Sequence, residues 1–152
     1  MAIQTDREQL MLELVNRARL DPAGEAARYG IDLNDGLPPG TISADAKQPL
    51  AMNPLLVDAA LGHSQWMIDN DVFSHTGAGG SSPGDRMSSA GYSFTGSWSW
   101  GENISWQGTT GTPDLTAYVY SQHESLFKSS GHRENIENDY FREVGIGQIS
   151  GV

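Results

Sequence analysis

A glycine- and serine-rich stretch, residues 71–112, places the strongest constraint on how this chain can fold. It holds half of the 18 glycines of the chain and also Trp98, Trp100 and Trp106. Glycine and serine at this density favour turns and irregular backbone over regular elements. Because an irregular segment of this length is uncommon in a compact domain unless it has a function, we expect it to carry part of the functional surface.

Helices are predicted on both sides of this stretch. Thr5 and Glu8 have the spacing of a capping box, and apolar residues then recur at helical spacing as far as Ala18. Further helix starts are indicated where a capping residue precedes a proline, because proline suits the first helical position. These pairs are Asp21-Pro22, Asn53-Pro54, Ser82-Pro83 and Thr112-Pro113. We expect Gly131 to break the last of these helices.

Two short segments have the pattern of strands. Residues 102–106 alternate in polarity, and residues 144–149 place apolar side chains on one face and glycine on the other. Helices therefore come first and strands are sparse and late, which favours a mixed α and β fold. The length of the chain, without an internal repeat or a linker, predicts one domain over residues 1–152.

The composition excludes several classes of function. The chain has no cysteine, so disulfides, thiolate metal sites and cysteine nucleophiles are ruled out. A net charge of −10 repels phosphate backbones, so nucleic acid is not an expected partner. No segment reaches the ~20 apolar residues of a membrane span. The N-terminal MAIQTDREQL lacks the basic and apolar regions of a signal peptide, which leaves a removed signal or another export route open.

The four histidines are the side chains best suited to metal binding or proton transfer near neutral pH. His63 and His123 fall on apolar helix faces, which predicts a core histidine with a hydrogen-bonded ring at His63 and core packing at His123. His75 lies just past a predicted helix end, and His132 follows a glycine at a predicted break between helices. Both of these positions suit a ligand site. The local sequence leaves a functional and a structural role open for each.

Other catalytic motifs find little support. His123-Glu124 begins like the zinc-protease helix, but that motif needs a second histidine four residues after the first, where Phe127 stands. The nucleophile elbow of serine hydrolases is absent. Glu102 lies in a glycine-rich setting and is either a solvated charge or a partner for histidine, as a proton acceptor, a base or a ligand through water. Only the fold can bring it to the histidines.

Four segments of the chain, in order, match the motifs of one family. They are LVNRAR at 14–19, residues 50–75 with a His-Ser pair and a Phe-Ser-His end, GENI at 101–104, and SGHRENI at 130–136 followed by EVGIG at 143–147. In this order the chain resembles the bacterial branch of the CAP superfamily (cysteine-rich secretory protein, antigen, pathogenesis-related). The resemblance covers nearly the whole chain.

The resemblance implies an α+β fold, a three-layer α-β-α sandwich with a small, mostly antiparallel sheet and long loops. It implies a cleft that gathers His75, His132 and Glu102, in which the two histidines hold zinc or another divalent metal. Eukaryotic relatives have a second glutamate, which is replaced near Ser129 here, with Glu124 as a candidate substitute. The family sheet also continues beyond the Gly-x-Gly strand, so the domain is expected to stop before its last strand.

The resemblance further implies a secreted, extracellular protein that binds a lipid, peptide or glycan without an established catalytic activity. Aromatic side chains dominate binding hot spots, so the tryptophans of residues 71–112 suit a contact surface, although they can also cover the core. An alternative is a metal-assisted hydrolase of peptides or esters, in which zinc on His75 and His132 activates water and Glu102 takes the proton. A third reading is a structural spacer in a larger secreted protein.

Overall fold

In the computed structural model, which describes residues 4–151, the chain forms six α-helices, one 3₁₀ turn and two very short strands. The helices are α1 (Asp6–Leu20), α2 (Pro22–Arg28), α3 (Pro54–Asp69), α4 (Pro83–Ser89), α5 (Leu115–Lys128) and α6 (Ser130–Ile136). The strands are β1 (Ala51–Met52) and β2 (Glu143–Val144), and the 3₁₀ turn is Ala78–Gly80. Residues 1–3 and 152 of the predicted 1–152 domain lie outside the described residues.

The expected α-β-α sandwich with a mostly antiparallel sheet is wrong. β1 and β2 pair in parallel, Ala51 beside Glu143 and Met52 beside Val144, and they form the only sheet within residues 4–151. The predicted strand at 102–106 is irregular backbone, and the predicted strand at 144–149 contributes only its first residue to β2. The fold is therefore mainly helical, with long irregular connections.

The reason lies in the backbone hydrogen bonds of these two segments. Within the described residues, neither 102–106 nor 145–149 shares a backbone-to-backbone hydrogen bond with any other part of the chain. Both segments line a cavity of about 960 Å³. An alternating pattern predicts an extended segment, but a sheet also needs a second strand at hydrogen-bonding distance.

Local capping explains where the early helices begin. The predicted capping box of Thr5 and Glu8 is confirmed at the start of α1. Asp21, Asn53 and Ser82 accept backbone N–H groups at the starts of α2, α3 and α4, each one residue before a proline. These contacts span three residues or fewer, which is why the sequence pattern predicts them.

The last two helices differ from the prediction at their ends. Asp114 accepts the N–H of Ala117, so α5 begins at Leu115 rather than directly after Thr112. The break between α5 and α6 falls at Ser129, whose backbone is extended, while Gly131 lies inside α6. The predicted break at Gly131 was therefore wrong by two residues. None of the helices in this described part of the chain has the length and apolar character that a membrane crossing requires.

A partly buried ionic cluster joins α1, α2 and α5. Two N–H groups of Arg17 donate to the two carboxylate oxygens of Glu25, and His123 Nε2 lies 3.5 Å from Glu25 Oε1. Burial alone would raise the pKa of Glu25, but the His123 ring and the Arg17 guanidinium outweigh it and lower that pKa to about 2. This contribution to stability is present above pH 4.5, the ordinary pKa, and is lost as the pH falls toward 2.

The glycines of the Val-Gly-Ile-Gly segment allow it to lie directly on α3. A Cβ on Gly145 would collide with the backbone of Leu56 and Val57, and one on Gly147 would collide with the backbone of Leu61. The obstacles are helix backbone rather than the ends of flexible side chains, so they cannot move aside cheaply. The glycines therefore set how closely this segment packs.

Gly145→Ala should lower the free energy of unfolding by about 2 kcal/mol or more, because the new methyl group forces the segment away from α3. Gly62→Ala, within α3 itself, is the matched control. A Cβ at Gly62 meets no atom within 4 Å, so alanine should stabilise the helix by about 0.5–1 kcal/mol. Urea unfolding of both variants measures this, and equal stability of Gly145→Ala and the wild type would contradict the close packing.

Glu137 makes the stability depend on pH in the opposite direction from Glu25. It is buried just after α6, and neither of its carboxylate oxygens has a hydrogen-bond partner within the described residues. Burial raises the pKa of Glu137 to about 8, despite the opposing charges of Lys47 and Arg19. The neutral form is favoured in the folded protein, so its stabilisation is complete below pH 4.5 and is lost as the pH rises through 8.

Glu137→Gln should therefore become progressively more stable than the wild type between about pH 5 and pH 8, because the amide never has to ionise in the interior. Chemical unfolding across this pH range gives the difference in unfolding free energy. Glu134→Gln removes an exposed carboxyl from α6 and controls for the loss of one charge. If the difference in unfolding free energy between the wild type and Glu137→Gln does not change with pH, Glu137 is solvated in the folded protein.

Candidate functional site

Glu102 joins two side chains at the centre of the candidate site. Its Oε1 accepts a hydrogen bond from His75 Nδ1 at 2.8 Å, and its Oε2 accepts one from Arg86 Nη2 at 2.6 Å. The side chains of Glu102 and Arg86 are mostly buried, whereas that of His75 is 54% exposed. A carboxylate can only accept, so Nδ1 carries the proton and Nε2 is the free nitrogen of a neutral His75 ring.

The backbone around Glu102 is held by α6. Asn135 Nδ2 donates to the carbonyl of Glu102 and to Asn103 Oδ1, at 3.3 and 2.9 Å. A Cβ on Gly101 would lie 3.0 Å from Asn135 Oδ1, so glycine permits this close approach. The Gly-Glu-Asn segment is therefore held by side-chain hydrogen bonds from α6 rather than by pairing with a neighbouring strand.

His132 lies in the first turn of α6 and is connected to the same segment. Asn103 Nδ2 donates to its carbonyl at 3.2 Å, and its Nδ1 lies 2.8 Å from Ser129 Oγ. A hydroxyl can donate or accept, so this contact suits either neutral tautomer of the ring. Partial burial, and secondarily the charge of His75, lower the pKa of His132 below its ordinary value.

The loop that carries His75 is anchored from α3 by His63. Nε2 of His63 donates to the carbonyl of Ser74 at 2.8 Å, while Nδ1 of His63 has no hydrogen-bond partner within residues 4–151. The predicted burial of His63 and His123 is confirmed. The predicted ring hydrogen bonding of His63 holds for one of its two nitrogens, and neither ring nitrogen of His123 has a hydrogen-bond partner within residues 4–151.

The hydrogen bonds of His75 and His132 show which ring nitrogen of each is available to a ligand. The Nδ1 atoms of His75 and His132 each contact an oxygen, which leaves Nε2 of each as the nitrogen for a metal. Within the described residues, no group of three or more histidine, aspartate or glutamate side chains has the arrangement of a metal site. Glu124, the candidate second glutamate, instead lies 3.4 Å from Lys128 on α5.

The three tryptophans lie at the surface rather than over the core. Trp98, Trp100 and Trp106 are 57%, 40% and 72% exposed. Trp100 packs close to Gly84 of α4, where a Cβ would lie 2.8 Å from the indole nitrogen. Trp100 and Trp106 line the same cavity as Glu102 and Arg86.

The sequence patterns missed the residues that hold the site together. The sequence patterns indicate no role for Arg86, Asn103 or Asn135, although the last two stand within the motifs GENI and SGHRENI. A buried arginine on an otherwise polar short helix is a weak signal, because arginine is common on exposed helix faces. The partners of Glu102 therefore came from the tertiary structure.

The Gly-Glu-Asn segment lies between the loop that carries His75 and helix α6, which carries His132. The profile of the CAP family, described as the cysteine-rich secretory protein family, matches residues 12–150. The chain therefore belongs to the CAP family.

One relative extends this comparison. The chain is 32% identical over 102 residues to the uncharacterized protein YkwD of Bacillus subtilis (strain 168). That alignment covers 67% of this chain and 35% of YkwD, so the chain spans about a third of the relative's length. No solved structure has significant similarity to the chain.

His75→Gln should raise the pKa of His132, because it removes the neighbouring charge that adds to the effect of burial. In the wild type, the Cε1–H resonance of His132 should titrate below pH 6.5, the ordinary pKa. NMR titration of the two proteins measures both values. Thr76→Ala changes an exposed neighbour of His75 and should leave the pKa of His132 unchanged. An equal pKa of His132 in the wild type and in His75→Gln would show that the two rings do not interact electrostatically.

Proposed function

We propose that this CAP-family domain is a secreted binding module whose cleft of His75, His132 and Glu102 takes a divalent metal ion, with zinc as the best match. The observation that supports this is the engagement of both Nδ1 atoms, which leaves two Nε2 atoms as ligands. Carboxylate–histidine–metal arrangements of this kind fix the ring and raise its basicity. A zinc ion there would supply a Lewis acid to which a ligand oxygen can bind.

The geometry favours binding over hydrolysis. Both oxygens of Glu102 already accept hydrogen bonds, so the carboxylate is better placed to orient His75 than to take a proton from water. Catalytic zinc usually has three protein ligands, and only His75 and His132 offer free ring nitrogens here. In this proposal Glu102 is an orienting group rather than the base of a hydrolase.

An extracellular ligand would approach through the cavity next to the cleft. Its walls combine apolar helix faces with Trp100 and Trp106, which suits the hydrophobic part of a lipid, a peptide or a glycan. The net charge of −10 disfavours strongly anionic partners. Secretion is supported by the description of the family, and the absence of cysteine makes stability independent of the redox state outside the cell.

Calorimetric titration of the metal-free protein with zinc chloride should show one ion bound per chain. His75→Ala and His132→Ala should each weaken binding by about tenfold or more, because each removes one of two protein ligands, and the double variant should not bind. Binding should also weaken from about pH 7.5 to about pH 5.5, since zinc needs neutral imidazoles. Glu124→Gln, an exposed carboxylate on α5, is the control for unspecific binding to acidic groups.

Equal zinc affinity of the wild type and the double histidine variant would overturn the metal site. Incubation of the zinc-loaded protein with peptide and ester libraries distinguishes a binding module from a hydrolase. We expect no turnover. Cleavage that depends on zinc and is lost in Glu102→Gln would instead favour the hydrolase.

A further inference from the structure

Arg86 is a largely buried cation at the candidate site that has no role as a metal ligand. It projects from α4 with its side chain 12% exposed. Nη2 donates to Glu102 Oε2 at 2.6 Å, and Nη1 donates to the carbonyl of Ser81 at 2.9 Å. One guanidinium thus contacts both the Gly-Glu-Asn segment and the loop after His75.

The contact with Glu102 restricts what that carboxylate can do. With Oε2 held by Arg86, Oε1 is the oxygen that remains for His75, and it accepts from Nδ1 at 2.8 Å. A carboxylate with a single partner would rotate about its last torsion, which is broad in proteins. Arg86 removes that freedom because its planar fork has fixed donor directions.

The contact with Ser81 restricts the loop that carries His75. The carbonyl of Ser81 also accepts the N–H of Gly77 at 2.9 Å, so Arg86 and Gly77 share one acceptor. A Cβ on Gly77 would lie 2.8 Å from Arg86 Nη1 and 2.9 Å from His63 Nδ1, which shows how tightly this loop packs on the guanidinium. Both ends of the His75–Glu102 hydrogen bond are therefore anchored to Arg86.

We infer that Arg86 is a positioning residue, which through Glu102 and Ser81 holds His75 in the tautomer with the proton on Nδ1 and presents Nε2 to the cleft. The effect on zinc rests on the function proposed above, whereas the effect on the His75 ring does not. Lysine cannot replace Arg86, because all N–H donors of an ammonium lie on one nitrogen, whereas Nη1 and Nη2 of the planar guanidinium donate to two different acceptors.

The positive charge of Arg86 and its positioning role have opposite expected effects on zinc affinity, so an experiment can distinguish them. A cation next to a metal site repels the metal ion, so loss of charge alone would strengthen zinc binding. Loss of positioning weakens it, by about 10–100-fold in other proteins where a group supporting a ligand is removed. Arg86→Met removes charge and contacts together, and Arg86→Lys retains the charge but loses the fork.

Imidazole ¹⁵N spectra of the metal-free protein at a pH above the histidine titrations test the inference directly. In the wild type, the ¹⁵N shifts of His75 should show a protonated Nδ1 and a free Nε2. Arg86→Met and Arg86→Lys should both move these shifts toward a mixture of tautomers. Arg28→Met, on α2, is the matched control and should leave His75 unchanged, and unfolding curves establish that every variant is folded.

Zinc titration of the same proteins gives the second readout, with an expected loss of about tenfold or more in both Arg86 variants. Unchanged His75 shifts in both variants overturn the inference, whatever the zinc affinity. Stronger zinc binding by Arg86→Met overturns the expected effect on zinc, since charge repulsion then outweighs positioning. If the wild type binds no zinc but the His75 shifts move as expected, the positioning of His75 stands and the proposed metal site fails.

Discussion

The buried guanidinium of Arg19 is the interaction on which the arrangement of the whole chain depends. From α1 it donates to the carbonyl of Gln48, just before β1, and to three carbonyls between the end of α6 and β2, those of Ile136, Asn138 and Phe141. Arg19 is fully buried, so water cannot replace these bonds if the side chain is removed. The one sheet of the described structure and the end of α6 are thereby held against α1.

Two other arginines repeat this use of a helix-borne guanidinium to hold irregular backbone. Arg133 of α6 is also fully buried and donates to the carbonyls of Leu33, Asp35 and Phe127. Arg86 acts in the same way at Ser81 and adds the carboxylate of Glu102. In a chain without cysteine, long loops cannot be cross-linked covalently, and planar cations with several donors perform that function through hydrogen bonds.

The candidate site follows from this arrangement. Arg19 holds the last residue of α6 through the carbonyl of Ile136, and Arg133 within α6 ties the helix to Leu33. The same helix carries His132 and, through Asn135, holds the Gly-Glu-Asn segment. Arg86 and His63 hold the other side, where His75 is exposed. His75 is thus held from behind and exposed in front, while the ring of His132 is partly buried and oriented through Ser129. The carboxylate between the anchors has both oxygens engaged, and this weighs against a role as a base.

The sequence by itself determined the features that depend on near neighbours. The capping box at Thr5 and the helix starts at Pro22, Pro54 and Pro83 are set by contacts within a few residues. The apolar helix faces predicted the burial of His63 and His123, and the order of motifs identified the family. The sheet was mispredicted because residues 102–106 and 145–149 have the right alternation but no strand to pair with. The partners of Glu102 are 16 and 27 residues away. Only the tertiary structure decided them, because hydrogen bonds between distant residues depend on how helices pack and leave no local pattern.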